Sequence, residues 1–168
     1  MSDRRSILGR VKICYVDLDN VLVDFASGIA RLDDEVVAAY EGRLDEVPGI
    51  FALMDPMPGA VAAFAELAAS FDTYILSTAP WGNPSAWTDK LVWVQRHLGA
   101  GPGAPAYKRL ILSHHKNLLA GDYIIDDRTA RGVDAFGGIH IHFGTEGLQT
   151  WPQVLDHMRP LAADDERK

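Results

Sequence analysis

CYVDLDNVLVDF, Cys14 to Phe25, ends an apolar run on two carboxylates, Asp17 and Asp19, set two positions apart. The run before it, Val11 to Val16, is broken only by Lys12 and predicts a strand covered on both faces. In open parallel sheets ligands collect where strands end, which puts Asp17 at the mouth of a site. Carboxylates at i and i+2 on a strand running into a loop can enter one crevice while Leu18 between them turns to the core. Such a pair suits a nucleophile and a proton carrier. A carboxylate attacks phosphorus without first losing a proton and splits one difficult hydrolysis into two displacements, and its partner in a crowded anionic site is pushed toward the protonated form that an acid needs. The local alternative is that Asp19, Asn20 or Asp24 caps a helix starting near Val21 and that Asp17 is a solvated strand end.

The chain has 168 residues, room for one domain with a substantial core. Its hydrophobic and charged fractions, 48% and 23%, are those of a soluble globular protein. A net charge of -7 argues against a nucleic-acid polymer as partner, since such binders carry a basic face. The single cysteine, Cys14, excludes an internal disulfide and reads as a small core residue. MSDRRSILGR is not followed by an apolar stretch of signal-peptide length, and no later segment is long enough to cross a bilayer. The expectation is a cytoplasmic protein without membrane contact.

Outward from the first motif, Val21, Leu22, Phe25, Ile29 and Leu32 recur at helical spacing, continuing through Val36, Val37 and Tyr40. EGRLDEVPG and MDPMPG then break the pattern, and residues 26–56 predict a small cap insertion rather than a second domain. AVAAFAELAAS after Gly59 predicts an amphipathic helix, and Thr73 to Ser77 a buried strand. A helix is expected from Ala86 to Leu98 with Leu91, Val92, Val94 and Leu98 on its buried face. Gly99 to Ala106 is turn-rich and not a phosphate cradle, because neither a strand nor a helix flanks it as that motif requires. Short strands follow at Leu110 to Leu112, Tyr123 to Asp127 and Gly138 to Phe143, with a closing helix over Gln149 to Leu161 and a frayed tail over 162–168. Strands alternating with helices predict an α/β, Rossmann-like three-layer sandwich with a mainly parallel sheet.

Three strands end in polar or charged residues: Val16 into Asp17, Leu76 into Ser77 and Thr78, Ile125 into Asp126 and Asp127. In a parallel sheet those ends share one edge. A phosphoryl group there needs an in-line nucleophile, donors for its equatorial oxygens and positive charge. Asp17, Thr78 with loop amides, and Lys116 with a hydrated Mg2+ would supply them. Asp17, Asp19, Asp126 and Asp127 against Lys116 alone leave the edge anionic, so a cation is required to admit a phosphate. Hard oxygen ligands with no cysteine and no convincing histidine set favour Mg2+, held by Asp17, the backbone carbonyl of Asp19, and Asp127, with Asp126 in or next to the coordination shell. Locally, Asp126 and Asp127 also read as caps of a helix near Arg128 or Thr129, and Lys116 as a surface lysine.

DLDNV resembles the Asp-x-Asp-x-Val/Thr motif of the haloacid dehalogenase superfamily, STAP its strand-end hydroxyl motif, and Lys116 with Asp126 and Asp127 its lysine and acidic motifs. More narrowly, DLDNVLVDF, DPMPGA, STAP and HKNLLAGDYIIDDR resemble the pyrimidine 5'-nucleotidase group, the deoxyribonucleotidases, in which the lysine stands ten positions before the first motif acid. The resemblance runs from about Val11 to Phe143. It implies phosphomonoester hydrolysis with Mg2+ through an aspartyl-phosphate, Asp17 as nucleophile, Asp19 as acid and base, Thr78 or alternatively Ser77 as the hydroxyl, and Phe25 against a nucleotide base or, equally, in the core.

Two departures stand out: Asn20 occupies a place where glycine is usual, and the interval before DPMPG is shorter than the nucleotidase cap, which leaves base and sugar preference open. A sugar phosphate or other small phosphomonoester is the alternative substrate. A non-catalytic phosphate-binding or interaction module is the alternative function, disfavoured because a binder needs no nucleophile paired with an acid. His114 and His115 read as solvent-facing, His140 and His142 as structural rather than metal-binding, Trp93 as packing and Trp81 as a candidate pocket wall, while Arg128 is open between phosphate binding and pairing with an acid.

Overall fold

The computed structural model describes residues 10–163, so the expected signal-free start and most of the expected frayed tail lie outside the described residues. The elements in order are β1 (Ile13–Val16), β2 (Val23–Asp24), α1 (Phe25–Ile29), α2 (Asp34–Ala39), β3 (Asp55–Pro56), α3 (Ala60–Ser70), β4 (Asp72–Ser77), α4 (Ser85–Leu98), β5 (Leu110–Leu112), β6 (Tyr123–Asp126), β7 (Ile139–His142) and α5 (Trp151–Ala163). The main sheet has the order β5-β4-β1-β6-β7, and every pairing in it is parallel. The expected α/β sheet is thus present, with β1 at its centre.

From β1 the chain steps outward through β4 to β5, then returns to the other side of β1 for β6 and β7. That reversal is a topological switch point beside β1, where crevices open at the carboxyl ends of strands. The alternation of side chains along the strands divides the core. Cys14, Val16, Ile75 and Ile125 join Phe64, Trp93 and Trp151 from α3, α4 and α5 in one large cluster, whereas Tyr15, Leu76, Ile124, Val133 and Phe136 form a smaller one. The second face is covered by loops and by two 3-10 turns, Lys116–Leu118 and Val133–Ala135, so the third layer of the sandwich is thin.

Two expectations require correction. The helix expected from Val21 is broken: the amides of Val21, Leu22 and Val23 all donate to Leu18 O, Asn20 sits at φ +57°, and β2 pairs antiparallel with β3. A turn satisfied by one carbonyl outcompetes the helix there, and α1 starts only at Phe25, where Asp24 accepts from the Ser27 amide as its cap. The helix-cap alternative therefore holds for Asp24, while Asp19 caps nothing. The buried face of α4 is also differently phased. Ala86, Lys90, Trp93, Val94 and Leu98 face inward, whereas Leu91 and Val92 are exposed. A lysine, Lys90, thus lies on the inward stripe.

Between α1 and β3 the chain makes α2 and two 3-10 turns, Leu44–Glu46 and Ile50–Ala52. This segment is pinned to the loop before α4, because the buried Asn83 amide donates to Asp45 O and Val47 O, both at 3.0 Å.

Candidate active site

The parallel register brings the ends of β1, β4 and β6 to one edge. There a cleft of about 270 Å³ is lined by Asp17, Asp19, Thr78, Lys116 and Asp126, together with Phe25, Leu44, Asp45 and Pro80 and with Arg128, Ala130 and Arg131 from the loop after β6. Asp17 leaves β1 with its amide donating to Ile125 O at 2.8 Å, which locks it beside β6. Lys116 is 3% exposed, and its ammonium donates to Asp17 Oδ1 at 2.8 Å and to Asp126 Oδ2 at 2.5 Å. Lys116 is held by its own amide, which donates to Arg131 O at 2.8 Å. The other oxygen of Asp126 accepts from the Arg128 amide, a turn contact rather than a helix cap.

The carboxylates feel one another. Burial and then Asp17 push Asp126 up to about 6, against the pull of Lys116. Burial and Asp17 likewise raise Asp127. Asp19 is raised by burial, with Lys90 opposing and Asp17 adding. For Lys116 burial works against the charged form, but Asp17 and Asp126 together carry its pKa above the ordinary lysine value. This is an edge short of positive charge, and a bound divalent cation would reverse the carboxylate shifts.

The residues present fit such a cation. Carboxylate oxygens of Asp17, Asp126 and Asp127 lie within 4.8 Å of one another. Asp127 Oδ1 is buried with no hydrogen-bond partner, while its Oδ2 takes two long contacts, 3.5 Å from the Asn20 amide group and 3.6 Å from the Arg128 guanidinium. An orphaned carboxylate oxygen is costly unless something positive meets it. Asn20, standing where glycine is usual, adopts the left-handed backbone that asparagine tolerates.

Of the expected site residues, Asp17, Lys116, Asp126 and Asp127 are brought together. Asp19 lines the cleft, but its Oδ2 turns away to the Lys90 ammonium at 2.6 Å. Thr78 lines it too, its hydroxyl donating to Ser113 O at 2.8 Å, whereas Ser77 is fully buried and accepts from Lys90 at 2.9 Å. Phe25 does both things considered for it, lining the cleft and packing edge-on against Phe51 with centroids 5.9 Å apart. His140 and His142 stack at 4.8 Å and donate from Nε2 to Asp126 O and Asp127 O, each at 3.0 Å, so they brace the acidic pair's backbone. Trp93 donates to Met54 O and is buried; Trp81 is 87% exposed and lies outside the cleft lining. His115 is exposed as expected, but His114 is not solvent-facing: it meets Trp81 edge-on with centroids 5.9 Å apart and its Nε2 is buried without a hydrogen-bond partner. Arg128 leans on Asp127 at 3.6 Å with most of its side chain in solvent.

Sequence reasoning missed Lys90 altogether. The available signal was its phase, four residues after Ala86 and three before Trp93, on the stripe that packs inward. Leu44, Asp45 and Arg131 were missed as well, and nothing in their local sequence sets them apart.

The family model described as "5' nucleotidase, deoxy (Pyrimidine), cytosolic type C protein" matches residues 42–149. A Vibrio phage KVP40 protein, provisionally named a 5'(3')-deoxyribonucleotidase, is 58% identical over 146 residues, covering 87% of this chain and 84% of its own. The human 5'(3')-deoxyribonucleotidase of cytosolic type is 30% identical over 155 residues, covering 71% of this chain and 72% of its own. In fold, a haloacid dehalogenase-like family hydrolase from Xanthomonas campestris aligns with a TM-score of 0.55 at 12% identity, over 94% of this chain and 99% of that one. Among the described residues no helix is long and apolar enough to cross a membrane. With a family model matched over residues 42–149 and a relative 58% identical across 87% of its length, this chain belongs to the cytosolic type C family of deoxy-pyrimidine 5'-nucleotidases, phosphomonoester hydrolases built on the haloacid dehalogenase fold.

Proposed function

We propose that the protein hydrolyses (deoxy)nucleoside 5'-monophosphates in the cytoplasm with Mg2+, through a phosphoryl group carried transiently on Asp17. The observation that carries this reading is the Lys116 ammonium bridging Asp17 and Asp126 inside the cleft, with Asp19 on the same wall. The oxygen of Asp17 not engaged by Lys116 attacks phosphorus. Thr78 and Lys116 hold the equatorial oxygens; Ser77 is assigned no contact with substrate because it is fully buried and does not line the cleft. Asp19 gives a proton to the departing alcohol, then takes one from the water that releases phosphate. Asp17, Asp126 and Asp127 are the carboxylates that would hold Mg2+, with the Asp19 carbonyl, and the ion would offset the negative charge of substrate and acids. Residues 26–56 act as a small cap, and Phe25 lies against the base.

The deciding experiment is turnover of a panel of nucleoside monophosphates and sugar phosphates with Mg2+. Nucleotides are expected to be the preferred substrates. Asp17→Asn is expected to reduce turnover by more than about a thousandfold while leaving the fold intact, and EDTA to abolish it reversibly. Turnover retained in Asp17→Asn overturns the mechanism, and preference for sugar phosphates overturns the substrate class.

A further inference from the structure

We infer that Lys90 is a positioning residue for the proton carrier: it takes one oxygen of Asp19 out of use and leaves the other to move the proton at the reacting centre. This rests on the reading of Asp19 as acid and base. Lys90 is fully buried in α4, and its ammonium makes three hydrogen bonds, to Asp19 Oδ2 at 2.6 Å, Ser77 Oγ at 2.9 Å and Thr78 O at 2.8 Å. It also lies over the Phe51 ring, 4.5 Å from the centroid. Every direction open to the ammonium is filled by this chain, so Lys90 has no route to a substrate phosphate.

The consequence falls on Asp19. A carboxylate turns easily about its last torsion, which is broad and roughly two-fold. With Oδ2 held by a buried charge the rotation is stopped, and Oδ1 is left as a buried atom without a hydrogen-bond partner, on a residue that lines the cleft. An unpartnered oxygen beside a reacting centre is poised to donate or accept. In the first step a bond forms from Asp17 to phosphorus, the bond from phosphorus to the leaving oxygen breaks with its electron pair, and that oxygen takes the proton from Asp19 Oδ1. In the second, water bonds to phosphorus, its proton goes to Oδ1, and the bond from phosphorus to Asp17 breaks. Lys90 keeps its own protons throughout. Its seat on Ser77 and Thr78 ties the acid to the end of β4, and its seat on Phe51 ties it to the ring packed against Phe25.

A leaving group that departs without being protonated separates this role from mere support of the fold. Purified wild-type protein and the Asp19→Asn, Lys90→Met and double variants are assayed with Mg2+ on a deoxynucleoside monophosphate and on p-nitrophenyl phosphate, with rapid mixing for the latter. For Lys90→Met, kcat on the nucleotide is expected to fall by about tenfold to a thousandfold. Nitrophenolate is expected to appear in a rapid burst of one equivalent per site, followed by slow turnover, because only hydrolysis of the phosphoryl group from Asp17 then needs the base. Asp19→Asn is expected to show the same split, and adding Lys90→Met to it no further change. Equal losses on both substrates without a burst in Lys90→Met, or wild-type kcat on both, overturn the inference while Asp19→Asn keeps its split. Absence of the split in Asp19→Asn instead overturns the acid and base reading itself. Should Lys90→Met fail to fold, Lys90→Gln, which retains a donor for Oδ2 without the charge, takes the same assay and is expected to show a weaker form of the split; equal losses there count against the inference.

Discussion

Lys116 is one ammonium shared by two buried carboxylates, and its removal leaves Asp17 and Asp126 facing each other without a counterion. Breaking a buried charge network in this way costs about 3–5 kcal/mol. Lys116→Met is therefore expected to unfold at markedly lower urea in EDTA, to recover part of that loss in Mg2+ because a cation binds only the folded site, and to be inactive in both. Cys14 provides a test at the far side of β1. Burial pushes its thiol from 9.0 up to about 12, so the native protein should react with a thiol reagent only as fast as it opens. The sign of the pH effect follows. Below about 9 the thiol is protonated in both states; between about 9 and 12 the unfolded chain loses the proton and the folded one keeps it, so stability falls as pH rises. Cys14→Ala should lack that part of the alkaline slope in urea titrations. At this scale the acids were legible in sequence because charged residues at the ends of apolar runs are conspicuous. Lys90 was not, because a lysine following Thr88 and Asp89, with the inward face assigned to Leu91 and Val92, looks like solvent-facing helix until the neighbouring elements are in place.

At the scale of elements, the loop after β6 decides where Lys116 sits. Arg131 and Gly132 are successive left-handed residues, φ +59° and +88°, and the Arg131 carbonyl receives the Lys116 amide. A methyl group on Gly132 would collide with Asn117 Oδ1 and lie 3.0 Å from the Asn117 backbone nitrogen, which cannot step aside. Gly132→Ala is expected to cost at least about 1–2 kcal/mol from the backbone angle alone, measured by thermal or urea unfolding, and to lower kcat by displacing the turn that carries Lys116. The break after Asp19 belongs to this scale too. The apolar spacing of Val21, Leu22 and Phe25 suits a helix, and what defeats it is three amides converging on Leu18 O together with the β2–β3 pairing, whose partner is more than thirty residues away. Long-range pairing of that kind leaves no local mark, whereas α3 and α4, set by their own periodicity, were readable to within a residue or two at their ends.

Across the whole molecule, the reversal of strand order beside β1 is what gathers three strand ends into one cleft, and α5 closes the large core beneath it. Trp151, 1% exposed, packs against Phe143 and donates from its indole to Val21 O, the turn that follows Asp19. Trp151→Ala is expected to lose about 3–5 kcal/mol of stability by chemical denaturation, and to lose activity beyond what unfolding explains, since the turn under the proton carrier goes slack. Parallel topology was legible because βα alternation admits few other arrangements. The thin second face was not, because 3-10 turns carry no periodicity. One strand has a consequence out of proportion to its chemistry. β7 lends no atom to the cleft, yet its two imidazoles grip the carbonyls of Asp126 and Asp127 from the edge of the sheet. In a blind mutational screen scored by product formation, His140 and His142 should therefore surface among the dead clones, a mute neighbour scoring as though it spoke.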